Sequence, residues 1–585
     1  MIWYLCFGVS LAILAATAAA AVNAARSYRS GRALTPFSIL FVGVAAAVFV
    51  GLVPVIAAMV EGEPAGILKL ALFDALQTFQ IFTVNVGGDF ILENIDRSAT
   101  AISAAYSTYM SCMLFAAPLL TFGFVISLFR SALSDLRYRL RRRGDVYAFS
   151  ELNERSLMLA RSIREGHENA VLVFADAERD GGQSELTEQA KELHAILLYK
   201  DLLSAQLQKH SRSAALNLFA IRAQESENLL QALKLLEKYR EREHTNLYVF
   251  SAGAEGELLL SDAPKGKVRL RRVNETRSLI YQFLYDEGER LFETAAASPD
   301  GSKSIRAVIV GLDNAGQEML RALTWYCQMD GYTLELHAFD ADPRAADRFA
   351  AQCPELLSGS DAYPITIHAG ADLSAKSFAD CFMALPASTF VFVSLGSDTE
   401  NIRQAAYLRM LCERAGAKPI LKTIVSDAAE TEALSGVRNY RGQPYGIEAM
   451  GDAESLFSEK VLIGSELERL ALERHCKWGQ EEEFWQYEYN YRSSMASAIH
   501  RKARIACGIP GADKTEAELT EAERDGIERL EHRRWNAYMR AEGYVYSGSP
   551  DKSSRNDLAK MHHNLVPFDT LSAEDQRKDS RVGSR

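Results

Sequence analysis

The first 130 residues are mostly apolar, and the rest of the chain alternates short apolar runs with charged amphipathic stretches. Residues 2–22, 37–60 and 104–129 are apolar runs whose length suits a helix crossing a hydrocarbon core of about 30 Å. Membrane helices tolerate the Pro118 and Gly123 of the third run. A cleaved signal peptide is the alternative for the first run, but residues 1–4 lack a basic n-region. We therefore predict three retained spans in an α-helical membrane domain over residues 1–143.

Charged residues between these runs predict the orientation of the spans. Arg26, Arg29 and Arg32 follow the first run, and a basic stretch over residues 130–143 follows the third. Residues 61–100 are acidic. Because basic loops favour the cytoplasmic side, the N-terminus is expected outside the cell. The localisation that follows is a multi-pass protein of the inner (plasma) membrane, with its soluble domains in the cytoplasm.

A segment between the second and third runs combines an amphipathic stretch with a glycine-rich end. Residues 67–89 predict a short helix followed by an extended strand that dips between two spans. This order resembles the pore region of potassium channels, in which backbone carbonyls replace an ion's hydration shell. Asn85 stands where the first filter glycine of that family belongs, and Gly88 is an additional residue. A helix and turn on the outer surface remains the alternative. The candidate pore residues are Thr83, Val84, Asn85, Val86, Gly87 and Gly88.

After residue 143 the pattern changes to strands that alternate with helices. Strands separated by helices of this length predict parallel, doubly wound sheets. The series begins again near residue 301, so we predict two tandem Rossmann-like units, over residues 144–300 and 301–475. The predicted strands cover residues 145–150, 171–174, 195–199, 217–221, 246–250 and 268–273 in the first unit, and 305–310, 333–339, 365–368, 389–393 and 419–424 in the second.

The turn after the first strand of the second unit carries part of a dinucleotide-binding pattern. Gly311 and Gly316 would let the backbone approach a pyrophosphate at a helix N-terminus, and Asp340 ends the next strand, where an acid binds ribose. Asp313 replaces the middle glycine, and the first unit has no glycine in its turn. Gly311, Asp313, Gly316 and Asp340 are thus candidates for binding NAD or ATP. A Rossmann fold with a purely structural role is the alternative for both units.

Two later runs support a family resemblance for these units. Residues 390–402 (FVFVSLGSDTENI) and, more weakly, 217–229 (NLFAIRAQESENL) resemble the fourth strand and following helix of TrkA-N domains. Residues 308–316 resemble the start of the same domain. TrkA-N domains sense nucleotides or ions beneath potassium channels and transporters. The resemblance, which covers residues 144–450, implies a regulatory role for the two units.

The C-terminal segment, residues 476–572, is rich in aromatic residues and carries the most specific motif. Residues 530–546 contain the pattern E-H-x-R-W, and residues 560–571 contain K-x-H-x-x-L-V-P. Both closely resemble the RyR domain, which is named for repeats in ryanodine receptors and also occurs in prokaryotes. The resemblance implies a small, mainly α-helical domain. The polar residues 573–585 are predicted to be disordered.

The residue types of this motif suit an anionic aromatic ligand. Arginine offers planar, bidentate contacts to phosphate, Trp and Tyr offer a stacking face, and His and Lys add donors. The alternative is a structural helix pair, in which Leu530 and Trp535 lie in the core. The candidate ligand-binding residues are Arg492, Ser493, Glu531, His532, Arg534, Trp535, Tyr546, Lys560 and His562.

The composition of the chain argues against some classes of function. The net charge of −11 argues against a nucleic-acid partner, which would need a basic face. The 8 cysteines include no CxxC pair, so neither a zinc site nor a disulfide framework is predicted. No nucleophile–base pair or metal cluster is evident, so no catalytic or metal-binding residue is assigned. A membrane-tethered oxidoreductase remains a third hypothesis.

The combination of resemblances implies a nucleotide-gated membrane effector or ion channel. In this interpretation the RyR domain senses a nucleotide second messenger, of ADP-ribose type, and the TrkA-N-like units relay the signal to the membrane helices. Prokaryotic proteins with this combination are suspected to act in anti-phage defence. The alternative is a housekeeping potassium channel or transport subunit regulated by NAD(H) or ATP at the second Rossmann unit. Because so few spans rarely enclose a pore alone, a homo-oligomer is expected, most simply a tetramer.

Overall fold

The structure is a computed structural model of the chain, and it divides into two compact units. It describes residues 2–27, 36–59, 66–83, 88–98, 102–140, 144–177, 184–207, 214–261, 263–297, 301–357, 363–463 and 466–583. The first unit comprises Met1–Arg142, Phe174–Gly181 and Ile196–His210, and the second comprises Arg143–Val173, Gly182–Ala195 and Ser211–Arg585.

The N-terminal part of the first unit is entirely helical in the residues described. Two of its helices contain stretches long and apolar enough to cross a membrane, Ile2–Asn23 and Ser38–Ala58. The predicted third span, residues 104–129, lies inside a continuous helix that runs on to Leu140. The helices are α1 (Ile2–Ser27), α2 (Pro36–Met59), α3 (Ile67–Phe82), α4 (Gly88–Ser98) and α5 (Ser103–Leu140).

These helices pack through apolar and hydroxyl-bearing side chains. Val48 and Leu52 of α2 lie in one buried cluster with Ile95 of α4 and Met110 of α5. The hydroxyl of Tyr106 donates to the carbonyl of Gly51 at 2.7 Å, which joins α5 to α2. Such a buried hydroxyl needs a partner, because an unsatisfied one costs free energy.

The predicted pore segment is only partly described. The helix expected after residue 67 is α3, which ends at Thr83 as its C-cap, and Gly88 begins α4. Val84, Asn85, Val86 and Gly87 lie outside the described residues, as do 28–35 and 141–143 of the basic segments.

The first α/β part contains strands at every position that the apolar runs predicted. Within the second compact unit its strands follow the order β2-β1-β4-β5-β6, and β1, β4, β5 and β6 pair in parallel. The inner strands are buried throughout, as expected for a sheet with helices on both faces. Its elements are β1 (Val146–Phe149), α6 (Glu154–Gly166), β2 (Val171–Phe174), α7 (Ser184–Glu192), β3 (Ile196–Leu197), β4 (Leu216–Ala220), α8 (Glu225–Tyr239), β5 (Thr245–Phe250), α9 (Ala254–Ser261) and β6 (Val268–Val273).

The second α/β part repeats this topology. Its parallel strands follow the order β10-β9-β8-β11-β12-β13, and the short β7 pairs antiparallel with β8. The sequence pattern predicted all of these strands except β7 and β13. The elements are α10 (Glu275–Glu287), α11 (Arg290–Glu293), β7 (Ala296–Ala297), β8 (Lys303–Val310), α12 (Asn314–Tyr326), β9 (Tyr332–Asp340), α13 (Ala345–Gln352), β10 (Ile365–Ala369), α14 (Lys376–Ala384), β11 (Phe390–Val393), α15 (Asp398–Arg414), β12 (Ile420–Ile424), α16 (Ala428–Ser435) and β13 (Ile447–Met450).

The core of this second part begins before residue 301. Leu284 of α10 and Phe292 of α11 lie in the same buried cluster as Ile305 and Ile309 of β8. The segment from residue 275 to 297, which the sequence assigned to the first unit, therefore packs with the second sheet.

The C-terminal module is mainly helical and shares this core. Tyr538 of α22 meets Trp325 of α12 edge to face, with ring centroids 6.2 Å apart. The elements are α17 (Ala453–Leu456), α18 (Glu459–Leu462), α19 (Glu466–His475), α20 (Glu481–Gln486), α21 (Glu488–Ala506), α22 (Glu521–Ala541), β14 (Val545–Tyr546), β15 (Met561–His562) and α23 (Ala573–Gly583).

The expected disorder of residues 573–585 is not what the structure shows, because residues 573–583 form α23. The Asp579 carboxylate lies 3.2 Å from His532 Nδ1, and the Gln576 amide donates to the Phe568 carbonyl at 3.1 Å. Polar contacts with α22 and its neighbouring loop hold this helix, which composition alone could not reveal.

Candidate functional site

A cavity of about 730 Å³ lies between the first α/β part and the C-terminal module. Its walls come from β6, α9 and α10 on one side, and from α20, α21 and the loop around residues 544–560 on the other. The volume is in the range of ligand-binding pockets, roughly 300–1,000 Å³. Its lining contains 7 aromatic side chains, 7 basic and only 3 acidic ones. The basic residues are Lys265, Arg271, Arg272, Arg277, Arg492, Arg555 and Lys560.

Arg492, a candidate from the sequence, lies in this wall on α21. Its guanidinium is 2.9 Å from Glu542 and 3.1 Å from Glu257, and Glu488 lies one turn earlier at 3.6 Å. Burial alone would lower the pKa of Arg492, but Glu542 and Glu488 raise it above its usual range. Arg492 is therefore a fixed positive charge at the wall of the cavity.

Two arginines of the first α/β part and its following helix complete a cluster with Arg492. Arg272, the penultimate residue of β6, makes a two-pronged contact with Glu488, with nitrogen–oxygen distances of 2.7 and 3.0 Å. Arg277 of α10 contacts Glu318 at 2.7 Å and Glu542 at 3.0 Å. Burial alone would raise the pKa of Glu542, but Arg277 and Arg492 hold it at about 2. Each carboxylate of this cluster therefore forms an ion pair with at least one arginine.

The two lysines of the wall differ from these arginines. Lys265 Nζ donates to the carbonyl of Gln486 at the end of α20, and Lys560 Nζ donates to the carbonyl of Glu542 at 2.9 Å. Lys265 is attracted electrostatically by Glu488, and Lys560 attracts Glu542. Burial lowers the pKa of Lys265. These ammonium groups leave the cavity with positive charge that its own acids do not balance.

Trp485 provides the central aromatic surface. The guanidinium of Arg271 lies 4.7 Å from its ring centroid and that of Arg269 lies 5.2 Å away. Its indole N–H is buried and has no hydrogen-bond partner within the described part of the chain. Tyr487, two residues later, is 49% exposed beside it. The wall thus offers aromatic faces, which suit a planar heterocycle.

Of the sequence candidates, only Arg492 and Lys560 line this cavity. Ser493 is buried on α21. Glu531 and Arg534 are each only 1% exposed and pair with one another at 2.8 Å, while Arg504 binds the second oxygen of Glu531. His532 uses one ring nitrogen on the Val566 carbonyl, at 2.8 Å, and the other on Asp579. The structure places the E-H-x-R-W motif in the core of the module.

Of the remaining candidates, Trp535 and His562 contact each other elsewhere in the module, and Tyr546 lies on β14. Trp535 is partly buried and meets His562 edge to face, with centroids 4.9 Å apart. The backbone N–H of Tyr546 donates to Glu355 at 2.9 Å. This arrangement matches the alternative interpretation, in which these aromatics pack the core.

Sequence reasoning missed the cavity residues that precede the C-terminal module. The signal was present in β6, whose sequence VRLRRV places three arginines in a predicted sheet strand. In the edge strand β6, Arg269 is exposed and Arg271 and Arg272 are only partly buried, so these side chains can contact the elements packed beside them. Only the packing of α20 and α21 against this edge shows what the arginines do.

The candidate nucleotide site of the second α/β part is occupied by its own side chains. Gly311 has a φ of +91°, and a side chain there would overlap the carbonyl oxygen of Ser394. Asp313 caps α12 by accepting from the N–H groups of Ala315 and Gly316, at 3.0 and 2.9 Å. Asp340 accepts from the N–H of Leu312 at 2.6 Å. The donors that would bind a pyrophosphate are thus largely satisfied by two carboxylates.

Metal-ligating side chains are not grouped in the residues described. No set of three or more His, Cys, Asp or Glu is placed there to hold a metal ion. The nearest approach is at the edge of the second sheet, where His337 Nδ1 lies 3.3 Å from His368 Nε2 and Cys381 Sγ lies 3.9 Å from His368 Nδ1. The sulfur and His337 face different nitrogens of His368, so they do not converge on one point.

Comparison with models of known protein families and with curated proteins finds no match for this sequence.

Proposed function

We propose that this protein is a membrane-anchored receptor for a nucleotide, which binds in the cavity between β6 and α21. The observation that carries the proposal is the composition of the cavity wall, where basic side chains outnumber acidic ones and aromatic faces adjoin them. Phosphate groups prefer arginine and lysine in such a site, and a base prefers an aromatic or guanidinium surface.

The ligand class that fits best is a nucleotide of ADP-ribose type. Its phosphates would contact Lys265 and the arginines, and its adenine would lie on Trp485 or Tyr487. Its ribose hydroxyls would lie against the polar side chains of the same wall. A ligand with phosphate in the middle and polar sugars beside it uses every part of this lining.

Nucleotide binding would control the membrane helices by a population shift. A ligand shifts a conformational equilibrium only by its difference in affinity for the two states. In our proposal the three apolar segments 2–22, 37–60 and 104–129 span the plasma membrane with the N-terminus outside. A symmetric homo-oligomer, most simply a tetramer, would then open a path for ions when the nucleotide binds. Such ligand-triggered permeabilisation of the membrane would give the protein a role in anti-phage defence.

The second α/β part supports the competing proposal less well. A housekeeping channel regulated by NAD(H) or ATP would need the helix terminus at Asp313 to bind phosphate. Asp313 and Asp340 place negative charge there, and negative charge repels phosphate. The cavity therefore carries the stronger argument.

The test is calorimetric titration of the full-length protein in detergent with ADP-ribose, NAD, ATP and adenosine. We expect ADP-ribose to bind at least about tenfold more tightly than adenosine, since charge-assisted hydrogen bonds contribute about 1.5–3 kcal/mol each. Lys265→Gln should weaken ADP-ribose by about tenfold. Lys267→Gln is the matched control, because Lys267 lies two residues away, is exposed and pairs with Glu243 outside the cavity.

Ion flux from liposomes then tests the gating. ADP-ribose applied to the side of the soluble domains should change the flux, and Lys265→Gln should shift this response to about tenfold higher concentration. Absence of binding by all four compounds at millimolar concentration would refute the proposal.

A further inference from the structure

The carboxylate of Glu488 sits on Arg272 as a phosphate would. Both the Nε and Nη2 atoms of Arg272 reach one oxygen of Glu488, at 3.0 and 2.7 Å, and Nε also lies 3.0 Å from the second oxygen. This fork geometry is the one that guanidinium groups use for carboxylates and phosphates alike. The side chain of Arg272 is 6% exposed, so the contact is well shielded from water.

The position of Glu488 adds a second attraction for an anion. Glu488 is the first residue of α21, a helix of 19 residues, and Tyr487 at the N-cap makes no side-chain hydrogen bond to it. The positive end of the helix dipole therefore adjoins the three arginines. Glu488 therefore places negative charge where both the arginines and the N-terminus of α21 favour an anion.

Glu257, on the opposite wall of the cavity, also contacts arginines of this cluster. Its carboxylate lies 3.1 Å from Arg492 and 4.0 Å from Arg272, and it is 40% exposed at the cavity. Glu488 and Glu257 both line the cavity, whereas Glu542 and Glu318 stand behind the arginines. Two of the four carboxylates can thus be reached by a ligand, and two cannot.

We infer that Arg272, Arg277 and Arg492 form the phosphate subsite of the cavity, and that a diphosphate ligand takes it by displacing Glu488 and Glu257. The inference rests on the proposed nucleotide-binding function and specifies its chemistry. Glu542 and Glu318 stay in place and keep the arginines aligned. Phosphate gains the bidentate contact that Glu488 gives up on Arg272 and the single contact that Glu257 gives up on Arg492.

This exchange would also link the ligand to the arrangement of the domains. Arg272 belongs to the first sheet, and Glu488 belongs to the C-terminal module, so their contact joins the two walls of the cavity. A phosphate bound to both Arg272 and Arg492 replaces a direct contact by a bridged one. The two walls would then be spaced differently with and without the ligand. The ligand would therefore bind the two arrangements with different affinity, as a ligand-driven conformational change requires.

The experiment compares three glutamate variants of the full-length protein by calorimetric titration with ADP-ribose and with inorganic pyrophosphate. Glu488→Gln removes the competing charge, and we expect the Kd of both probes to fall by about tenfold. Glu257→Gln should lower both by a smaller factor. Glu481→Gln is the matched control, because Glu481 pairs with Arg269 of β6 at 2.8 Å but lies outside the cavity lining, and both Kd values should stay unchanged.

The outcomes separate this inference from the proposed function. Unchanged or higher Kd values in both Glu488→Gln and Glu257→Gln would overturn the inference, even if the wild type binds ADP-ribose. Should Glu488→Gln fail to fold, Glu257→Gln decides alone, because its side chain is more exposed. Tighter binding of pyrophosphate without any binding of nucleotides would support the subsite and refute the nucleotide proposal.

Discussion

The carboxylate of Asp313 accepts a hydrogen bond from the hydroxyl of Ser394, with 2.7 Å between Oδ2 and Oγ. The other carboxylate oxygen caps α12, so one side chain joins the start of this helix to the end of β11. The sequence pattern suggested a nucleotide at this turn. The structure gives Asp313 a local role that accounts for its presence without one.

We expect Asp313→Ala to lower the free energy of unfolding by about 1–2 kcal/mol, the usual cost of losing an N-cap. Denaturant titration measures this loss. Asp427→Ala is the control, because Asp427 caps α16 through a single bond to Glu430 N–H at 2.9 Å, and its loss should cost less. Because Asp313 lies outside the cavity, the Kd for ADP-ribose should not change. Tighter NAD or ATP binding in Asp313→Ala would instead favour the competing site.

Gly311→Ala should destabilise the protein more than Gly331→Ala does. Both glycines have positive φ, +91° and +80°, a conformation that costs other residues roughly 1–2 kcal/mol. A side chain at residue 311 would also overlap the Ser394 carbonyl, whereas nothing lies within 4 Å of one at residue 331. Denaturation of the two variants isolates the steric contribution. Equal losses would show that the backbone near Ser394 can move.

The sequence predicted the sheets because their inner strands are uninterrupted apolar runs. Phe390–Val393 is buried at every position, as expected for a strand covered on both faces. The short β7 has a half-buried and an exposed residue, and no such signal. The apolar pattern therefore revealed the architecture and missed the strands β7 and β13.

The candidate site was harder to predict, because charge alone does not distinguish a ligand pocket from a buried ion pair. Glu531 and Arg534 form a motif that suggests recognition, yet both lie in the core. Arg272 and Arg277 come from a strand and helix more than 200 residues before their partners Glu488 and Glu542. Only the tertiary packing brings these residues together.

The Glu531 ion pairs predict a specific loss of stability in acid. Burial alone would raise the pKa of Glu531, but Arg534 and Arg504 bring it to about 2, from an ordinary value of 4.5. Since the folded pKa is the lower one, the contribution to stability is complete above about pH 4.5 and is lost as pH falls toward 2. Unfolding free energy measured across this range should decline with pH.

Glu531→Gln should cost about 3–5 kcal/mol at neutral pH, because it leaves buried arginines without their carboxylate. Its stability should also decline less than that of the wild type between pH 4.5 and 2. Asp525→Asn is the control, since Asp525 pairs with Arg529 on the exposed face of α22, and this substitution should change stability far less than Glu531→Gln does. A wild-type acid slope in Glu531→Gln would contradict the assignment.

Extraction should show integral membrane behaviour. The apolar stretches Ile2–Asn23 and Ser38–Ala58 leave hydrophobic surface exposed that lipid would cover. We expect the full-length protein to stay in the membrane fraction after washing with high salt or alkaline carbonate, and to be released by detergent. Release by carbonate alone would rule out a spanning helix.

The end of α5 offers a way to measure how the N-terminal helices are held. The hydroxyl of Tyr138 donates to the carbonyl of Leu207 at 2.9 Å, and Lys200 pairs with Asp135 at 2.6 Å, all within the first compact unit. Tyr138→Phe removes one buried hydrogen bond, worth about 1 kcal/mol. Hydrogen exchange of the backbone amides of residues 202–207 should therefore speed up by about fivefold, provided that it follows local opening. Tyr445→Phe, at an exposed tyrosine of the second unit, should leave this exchange unchanged. Unaltered exchange in Tyr138→Phe would mean that apolar packing alone holds the segment after β3.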